Sequence, residues 1–449
     1  LKELANFPYV HVLVLGLAKS GTAAARLLLQ NGRKVRVNDK NANDDDAIVD
    51  ELKSMGAEVV TGSHPLSVLD GVEIIIKNPG IPYDTPLLKE ACRRDIPVIT
   101  EIELAGSLSD TGMIGITGSN GKTTTTTLTT EMLKASDRKV KVAGNIGYVA
   151  TEVAQSLVKN EKMVLELSSF QLMGVQTFKP NIAVLLNIFR AHLDYHKTFE
   201  NYKKAKCNIF ANQTADDYLV YNADDPTVAE SVTTANSVKI PFSLNKQVKN
   251  GAWADDMSIY FKNEKIIDKA EIVLTGDHNL ENILAAICAA KLSGATNQGI
   301  CHVLRTFTAV RHRLQFVSNV HGRLFYNDSK ATNILAAQKA LASFNQPVIL
   351  LAGGLDRGNE FDDLKPYLEQ VKGIVLIGET KEKLKRVALE AGVPFIKMAD
   401  KMDDAVQQAY DLSEAGDVVL LSPACASWDQ YQTFEERGDM FIQAVHTLL

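Results

Sequence analysis

Gly118-Ser-Asn-Gly-Lys-Thr123 is the stretch of this sequence that most plainly carries chemistry. It follows an apolar run at 113–117 and opens a threonine-rich stretch at 122–127. A strand that runs into such a loop and then into a helix can wrap backbone N–H groups around phosphate oxygens. Lys122 is placed to reach the β- and γ-phosphates of ATP, and the Thr123 hydroxyl to hold Mg²⁺. Gly118, Ser119, Asn120, Gly121 and Thr124 complete the loop. The usual phosphate loop has glycine five residues before Gly121; here that position is Ile116, so T-G-S-N-G-K-T is a shortened version. A chance Gly-Lys-Thr in a surface turn would lack the flanking strand and helix, and ATP is therefore the expected nucleotide.

Other residues are candidates to complete that site. Glu166 lies in the apolar run 163–167, where an acid at a strand end can ligate or polarise Mg²⁺ beside a phosphate loop. His192 follows the run 182–187. Carboxyl ends of parallel strands share one rim, so Lys122, Glu166 and His192 are expected together. Lys206 lies in a helical stretch at 199–210 and, by spacing alone, reads as a solvated helix lysine. A second glycine loop, Gly16-Leu-Ala-Lys-Ser-Gly21, resembles the dinucleotide fingerprint but has Ala18 where backbone should approach a pyrophosphate closely. With Asp39 at the end of the next strand, it suits a nucleotide diphosphate other than NAD, or simply a helix packed on a sheet.

The elements that must position these residues are short apolar runs spaced by helical stretches, the pattern of parallel sheets with crossovers. Runs at 10–15, 35–38, 59–61 and 73–77 form a first group, and those at 113–117, 163–167, 182–187 and 218–221 a second. The stretch 238–265 alternates more and predicts a small antiparallel portion, and 279–293 predicts a helix. Runs at 324–326, 348–351, 374–377 and 418–421 form a third group, three of them ending in the loops AGGLDRG, GET and SPACAS. Three α/β domains are expected from 449 residues, with boundaries near 102 and 311.

Composition excludes several classes. Hydrophobic residues make up 45% and charged residues 23%, as in ordinary soluble domains rather than disordered chains. No apolar stretch is long enough to span a membrane, and the N-terminal sequence has no signal-peptide pattern. A net charge of −6 without a basic run gives no footprint for nucleic acid. Five scattered cysteines, none in a CxxC pair, argue for free thiols and a cytoplasmic setting.

Taken in order, the motifs resemble those of the Mur ligases of peptidoglycan synthesis over essentially the whole chain. They are Lys77-Asn-Pro-Gly-Ile-Pro82, the phosphate loop, Gly144-Asn-Ile-Gly147, Glu166-Leu-Ser-Ser-Phe-Gln171 and His192-Leu-Asp194. Gly276-Asp-His-Asn-Leu-Glu-Asn282, His312-Arg313, Asn327-Asp-Ser-Lys-Ala-Thr-Asn333 and Ser422-Pro-Ala-Cys-Ala-Ser427 follow. The last two motifs resemble the D-glutamate-adding branch. The implied fold is α/β in three domains: Rossmann-like over 1–102, central P-loop ATPase-like over 103–310, and Rossmann-like over 311–449.

The implied activity is ATP-dependent addition of D-glutamate to UDP-N-acetylmuramoyl-L-alanine by a cytoplasmic monomer, with no nucleic-acid partner and no membrane span. Carried over by position, Lys19, Ser20, Asp39, Asn78 and Gly80 hold the UDP portion, and Asn145 and His192 face the muramoyl part. Asn279 and Asn282 contact adenine, and Arg313 and Asp328 the nucleotide phosphate and ribose. Thr123, Glu166, His192 and Lys206, the last carbamylated by CO₂, hold two Mg²⁺ ions, and Lys122, Glu166, His192 and Lys206 form the catalytic set. Lys330, Thr332, Arg357, Ser427 and Phe434 form the D-glutamate pocket. Two positions depart from some family members: Ala191 stands where an acid precedes the metal-site histidine, and Arg357 where lysine occurs. The alternatives at this point are a folylpolyglutamate synthase-like ligase, which lacks such a first domain, a nucleotide-binding protein without ligase activity, and a nicotinamide-dependent oxidoreductase.

Overall fold

A parallel five-stranded sheet opens the chain, in the order β3-β2-β1-β4-β5. Its strands are β1 (His11–Leu15), β2 (Lys34–Asp39), β3 (Glu58–Thr61), β4 (Ile74–Lys77) and β5 (Val98–Ile99). The computed structural model describes every residue except 1, 5–6, 110–111, 275, 308–311, 345 and 449. The expected boundary at 310/311 thus lies outside the described residues. Two compact units divide the chain, Leu1–Phe307 and Thr308–Leu449, and the first holds two sheets.

The central strands read as unbroken apolar runs because helices cover both faces of a parallel sheet. Val12, Leu13, Val14 and Leu15 are all buried, as are Ile74, Ile75 and Ile76 beside them. Two glycines permit the turn that follows β1. Gly16 has φ +94°, and a Cβ there would lie 2.9 Å from that of Asn78; one on Gly21 would lie 1.9 Å from the Gly16 carbonyl oxygen. The loop at 16–21 and the loop after β4 therefore abut, and the helix Lys19–Gln30 can start tight against the strand.

The second sheet has nine strands in the order β14-β13-β12-β11-β10-β9-β6-β8-β7. They are β6 (Met113–Thr117), β7 (Val140–Gly144), β8 (Lys162–Glu166), β9 (Ile182–Leu185), β10 (Tyr218–Asn222), β11 (Val238–Ser243), β12 (Ala252–Ala254), β13 (Ser258–Phe261) and β14 (Glu264–Asp268). Only β12–β13 and β13–β14 pair antiparallel; β11 pairs in parallel on both sides. The antiparallel portion is thus smaller than the alternation at 238–265 suggested. The helix Lys122–Lys134 is rich in threonine, a poor helix former. Thr127, Thr129 and Thr130 each donate to the carbonyl four residues back at 2.8 Å, which satisfies the hydroxyls of Thr129 and Thr130 that the packing buries.

The second unit carries β15 (Gln315–Val320), β16 (Arg323–Asn327), β17 (Val348–Gly353), β18 (Val371–Ile377), β19 (Phe395–Met398) and β20 (Val418–Leu421). Their order is β15-β16-β20-β17-β18-β19, parallel except for the β15–β16 hairpin. The carboxyl ends of β16, β20 and β17 are adjacent, so the loops that follow them converge.

One buried carboxyl gives the first unit a pH-dependent stability. Glu101 is 3% exposed and accepts the Thr151 N–H, joining the helices Glu101–Leu108 and Ala150–Ser156. Burial pushes its pKa up to about 7. A folded-state pKa above the unfolded one means its stabilising contribution is present below the unfolded value and is lost as pH rises through about 7. Glu101→Gln keeps the acceptor but cannot ionise. Between about pH 5 and pH 8 the unaltered protein is expected to lose about 2–3 kcal/mol more stability than this variant in urea titrations. Parallel pH slopes would contradict the assignment.

Candidate active site

Gly121 caps the helix Lys122–Lys134 in the left-handed region, φ +82°, and a Cβ there would lie 2.1 Å from Asn282 Oδ1. That glycine lets the loop turn over the helix N-terminus, where free N–H groups face a phosphate. Asn187, at the end of the apolar run 182–187, braces the loop from below. Its carbonyl accepts from Ser119 N at 3.0 Å, and its Oδ1 from Asn120 N at 2.9 Å. Ser119 Oγ lies 2.9 Å from the Tyr202 hydroxyl. Thr123 and Thr124 are buried at the start of the helix. Asn282 is 5% exposed against Gly121 and Thr125, and Asn279 is three positions earlier on the same helix, Asp277–Leu292.

Two lysines converge on one carbonyl. Lys122 Nζ donates to Gly118 O at 2.8 Å and to Ser119 O at 3.2 Å; Lys206 Nζ donates to the same Gly118 O at 2.7 Å. Lys206 is 1% exposed, not solvated as helix spacing alone suggested. Burial first, and the Lys122 charge second, hold its pKa well below the ordinary lysine value. Both effects favour the neutral form of the amine beside the phosphate loop.

Glu166 ends β8 beside Ile116 of β6, the strand that leads into this loop, and is 1% exposed. Its Oε1 accepts from Asn145 Nδ2 at 2.8 Å, while Oε2 is buried without a hydrogen-bond partner. A buried carboxylate oxygen left open in this way is a ready cation ligand. His192 starts the short helix Leu193–His196 in the left-handed conformation, and its ring meets Phe170 edge-on at 5.0 Å. Burial, then Lys122 and Lys206, lower its pKa, which keeps the imidazole neutral and able to ligate a metal. Among the described residues no three His, Cys, Asp or Glu side chains gather as a metal cluster. Mg²⁺ does not need one, since it keeps waters and phosphate oxygens and takes one or two protein carboxylates.

His196, Tyr202 and Asn187 were not singled out by the sequence reading. His196 is buried, its Nε2 lies 2.9 Å from Ser169 Oγ, and burial pushes its pKa down to about 4. A signal for Tyr202 existed, because it lies four positions before Lys206 on one helix face.

On the first sheet's rim, Asn78 Nδ2 donates to Ser20 Oγ at 3.3 Å, and Asn78 Oδ1 accepts from Gly80 N at 3.1 Å. The Asp39 carboxylate is committed to backbone, taking Leu17 N at 2.6 Å and the amides of Asn41 and Ala42. It therefore holds the first glycine loop in shape. Lys19 is exposed beside that loop.

In the second unit, Lys330 Nζ lies 5.8 Å above the Phe434 ring, and Ser427 is 2% exposed with its Oγ unpartnered. The Arg357 guanidinium lies 4.8 Å from the ring of exposed Trp428. Arg437, which the sequence reading passed over, joins these loops. Its Nε donates to Ser329 Oγ at 3.0 Å, and its Nη2 to Ser329 O at 2.9 Å and Cys425 O at 3.0 Å. Thr332 follows Lys330 in the loop after β16, which Arg437 fixes at Ser329. Asp328 accepts from Leu314 N and Ser422 Oγ, and burial raises its pKa to about 7; Arg313 lies close enough to oppose that rise.

The chain matches family models along most of its length. The Mur ligase MurD-like N-terminal domain matches residues 10–100, the Mur ligase middle domain 116–290, and the Mur ligase glutamate ligase domain 312–425. The UDP-N-acetylmuramoylalanine–D-glutamate ligase of Oceanobacillus iheyensis is 62% identical over 448 residues, covering 100% of both chains. That of Geobacillus kaustophilus is 57% identical over 450 residues, again covering 100% of both. Among solved structures, the MurF ligase of Thermotoga maritima in complex with ADP has a TM-score of 0.59 at 19% identity, covering 99% of this chain and 97% of that one. The UDP-N-acetylmuramate-alanine ligase MurC of the same organism has a TM-score of 0.58 at 17% identity, covering 97% of this chain and 99% of that one. At such identity these two show the shared fold. No helix among the described residues is long and apolar enough to cross a membrane.

Proposed function

The chain belongs to the Mur ligase family, and on that premise we propose that it joins D-glutamate to UDP-N-acetylmuramoyl-L-alanine with ATP, giving ADP and phosphate in peptidoglycan precursor synthesis. The observation that carries this reading is the full-length likeness, at 62% identity, to a D-glutamate ligase. The chemistry suits the residues. A carboxylate is a poor acyl donor because its leaving group would be oxide. Transfer of the γ-phosphoryl group of ATP to the alanyl carboxylate makes an acyl phosphate, and the glutamate amine attacks its carbonyl carbon. The tetrahedral intermediate then expels phosphate, and the amine loses a proton.

Phosphoryl transfer needs positioning and charge neutralisation more than covalent help. Lys122 neutralises the β- and γ-phosphates once it swings from the Gly118 and Ser119 carbonyls. Thr123, Glu166 through its open Oε2, His192 and a carbamylated Lys206 would hold two Mg²⁺ ions, which supply further neutralisation of phosphate oxygens. Asn145 keeps the Glu166 carboxylate aimed. Asn279 and Asn282 are assigned to adenine, and Arg313 and Asp328 to the phosphate and ribose. Lys19, Ser20, Asp39, Asn78 and Gly80 are assigned to UDP, the Asp39 carboxylate acting by shaping its loop. We place the enzyme in the cytoplasm as a monomer, its five cysteines free.

The acyl-phosphate step makes a direct demand. With ¹⁸O in the alanyl carboxylate, one labelled oxygen should appear in the released phosphate; phosphate without label would contradict the route. The D-glutamate pocket is assigned to Lys330, Thr332, Arg357, Ser427 and Phe434, two cations for two carboxylates. Arg357→Ala is expected to raise the KM for D-glutamate about tenfold or more, with KM for ATP and the UDP-substrate within about twofold. Equal increases for all three substrates would remove Arg357 from the pocket.

A further inference from the structure

Lys77 ends β4 with its side chain 1% exposed. Its Nζ donates to the carbonyls of Asn78 at 3.0 Å, Pro79 at 3.1 Å and Ile81 at 2.7 Å, and to the Tyr195 hydroxyl at 3.1 Å. That hydroxyl in turn lies within 3.0 Å of the Pro79 and Ile81 carbonyls. The Tyr83 ring lies 4.6 Å from Nζ, and no carboxylate pairs with Lys77 among the described residues. Exposed Lys197 and Asp84 form a second link between the same two segments, at 3.0 Å.

Tyr195, the one residue of the second segment that Lys77 touches, lies in the turn that carries His192. The ends of that turn, His192 with φ +53° and Lys197 with φ +68°, are non-glycine residues in the left-handed region, a conformation that persists when the surroundings hold it. Phe170 packs edge-on against both Tyr195, at 4.5 Å, and His192, at 5.0 Å. A continuous chain of contacts therefore runs from the loop bearing Asn78 and Gly80, through Lys77, Tyr195 and Phe170, to His192. Burial lowers the Lys77 pKa to about 7, because an ammonium without a counter-ion is costly there. A diphosphate bound at Asn78 and Gly80 would supply the missing negative charge.

We propose that Lys77 is a positioning residue that couples the loop assigned to the UDP diphosphate to the turn carrying His192, through Tyr195 and Phe170. The proposal rests on the ligase reading above. It separates the roles of two neighbouring groups: Asn78 and Gly80 touch substrate, whereas Lys77 acts through Tyr195 on His192.

The test uses the full chain with Lys77→Met, Tyr195→Phe, the double variant, and Asp84→Asn to break the exposed link. Lys77→Met is expected to lower kcat about tenfold, with KM for ATP and D-glutamate within about twofold. Tyr195→Phe should lower kcat about threefold or more, and the double variant should be no worse than Lys77→Met, because the two act in one chain. Asp84→Asn should change kcat less than about twofold, as for an exposed ion pair. An unchanged kcat in Lys77→Met, additive effects in the double variant, or an equal loss in Asp84→Asn would overturn the proposal. If Lys77→Met does not fold, Tyr195→Phe decides alone, since it leaves Lys77 its three carbonyls; an unchanged kcat there overturns the coupling. Failure of the unaltered enzyme to bind UDP-N-acetylmuramoyl-L-alanine by calorimetry would overturn the ligase reading, and this proposal with it. Unchanged kcat in variants of an active enzyme overturns the coupling only.

Discussion

Replacing Lys122 with alanine is expected to lower ligation about 100- to 1000-fold, while the Kd for the UDP-substrate stays within about threefold. The expectation follows from where the side chain sits. Lys122 is the first residue of the helix after the phosphate loop, and its ammonium donates to the Gly118 and Ser119 carbonyls. In the proposed site that ammonium would neutralise the charge building on the transferring phosphoryl group. The candidate UDP residues Ser20, Asn78 and Gly80 belong to a different sheet, so truncation at Lys122 leaves their hydrogen bonds intact. Retention of near-normal turnover, measured as ADP formed per enzyme, would remove Lys122 from the phosphate site. A parallel loss of UDP-substrate binding would mean that the variant had damaged the fold instead.

A comparable loss is expected when Lys206 cannot carry a carbamate. The Lys206 amine is buried, shares its acceptor carbonyl with Lys122, and has its pKa well lowered by burial. In the proposed modification the lone pair of the deprotonated amine would attack the carbon of CO₂ and the nitrogen would release a proton to solvent, leaving a carbamate anion. The carbamate would attract Lys122 and offer two oxygen donors suited to Mg²⁺. Lys206→Ala should therefore lower kcat about 100-fold or more. The unaltered enzyme, equilibrated with ¹³C-bicarbonate, should show a protein-bound carbamate carbon resonance that Lys206→Ala lacks. Full activity in Lys206→Ala, or the same resonance in that variant, would contradict the assignment.

What could be read in the sequence was what burial or backbone geometry writes into residue type. Strands covered on both faces, such as β1, β6, β17 and β20, appear as unbroken apolar runs. The edge strands β7 and β19 do not, because they carry lysines on partly exposed faces, whereas the edge strand β3 still shows its Val-Val pair. The phosphate loop was legible because Gly121 must adopt a positive φ and Lys122 must follow it. Lys206 was not legible by spacing, since Lys203 and Lys204 beside it look alike and only packing decides which one turns inward. Its face could have been found from Tyr202 and Ala205, which are buried on the same side. Lys77 and Arg437 were hidden for a related reason. Each lysine or arginine reads as surface charge until the fold shows that backbone carbonyls surround it.

The most direct measurement is phosphate release from ATP with UDP-N-acetylmuramoyl-L-alanine present and D-glutamate, L-glutamate or no amino acid added. The ligase account predicts stoichiometric phosphate and UDP-linked dipeptide product with D-glutamate, and little of either with L-glutamate or without amino acid. Phosphate release that is equal in all three reactions, or that does not need the UDP-substrate, would contradict it.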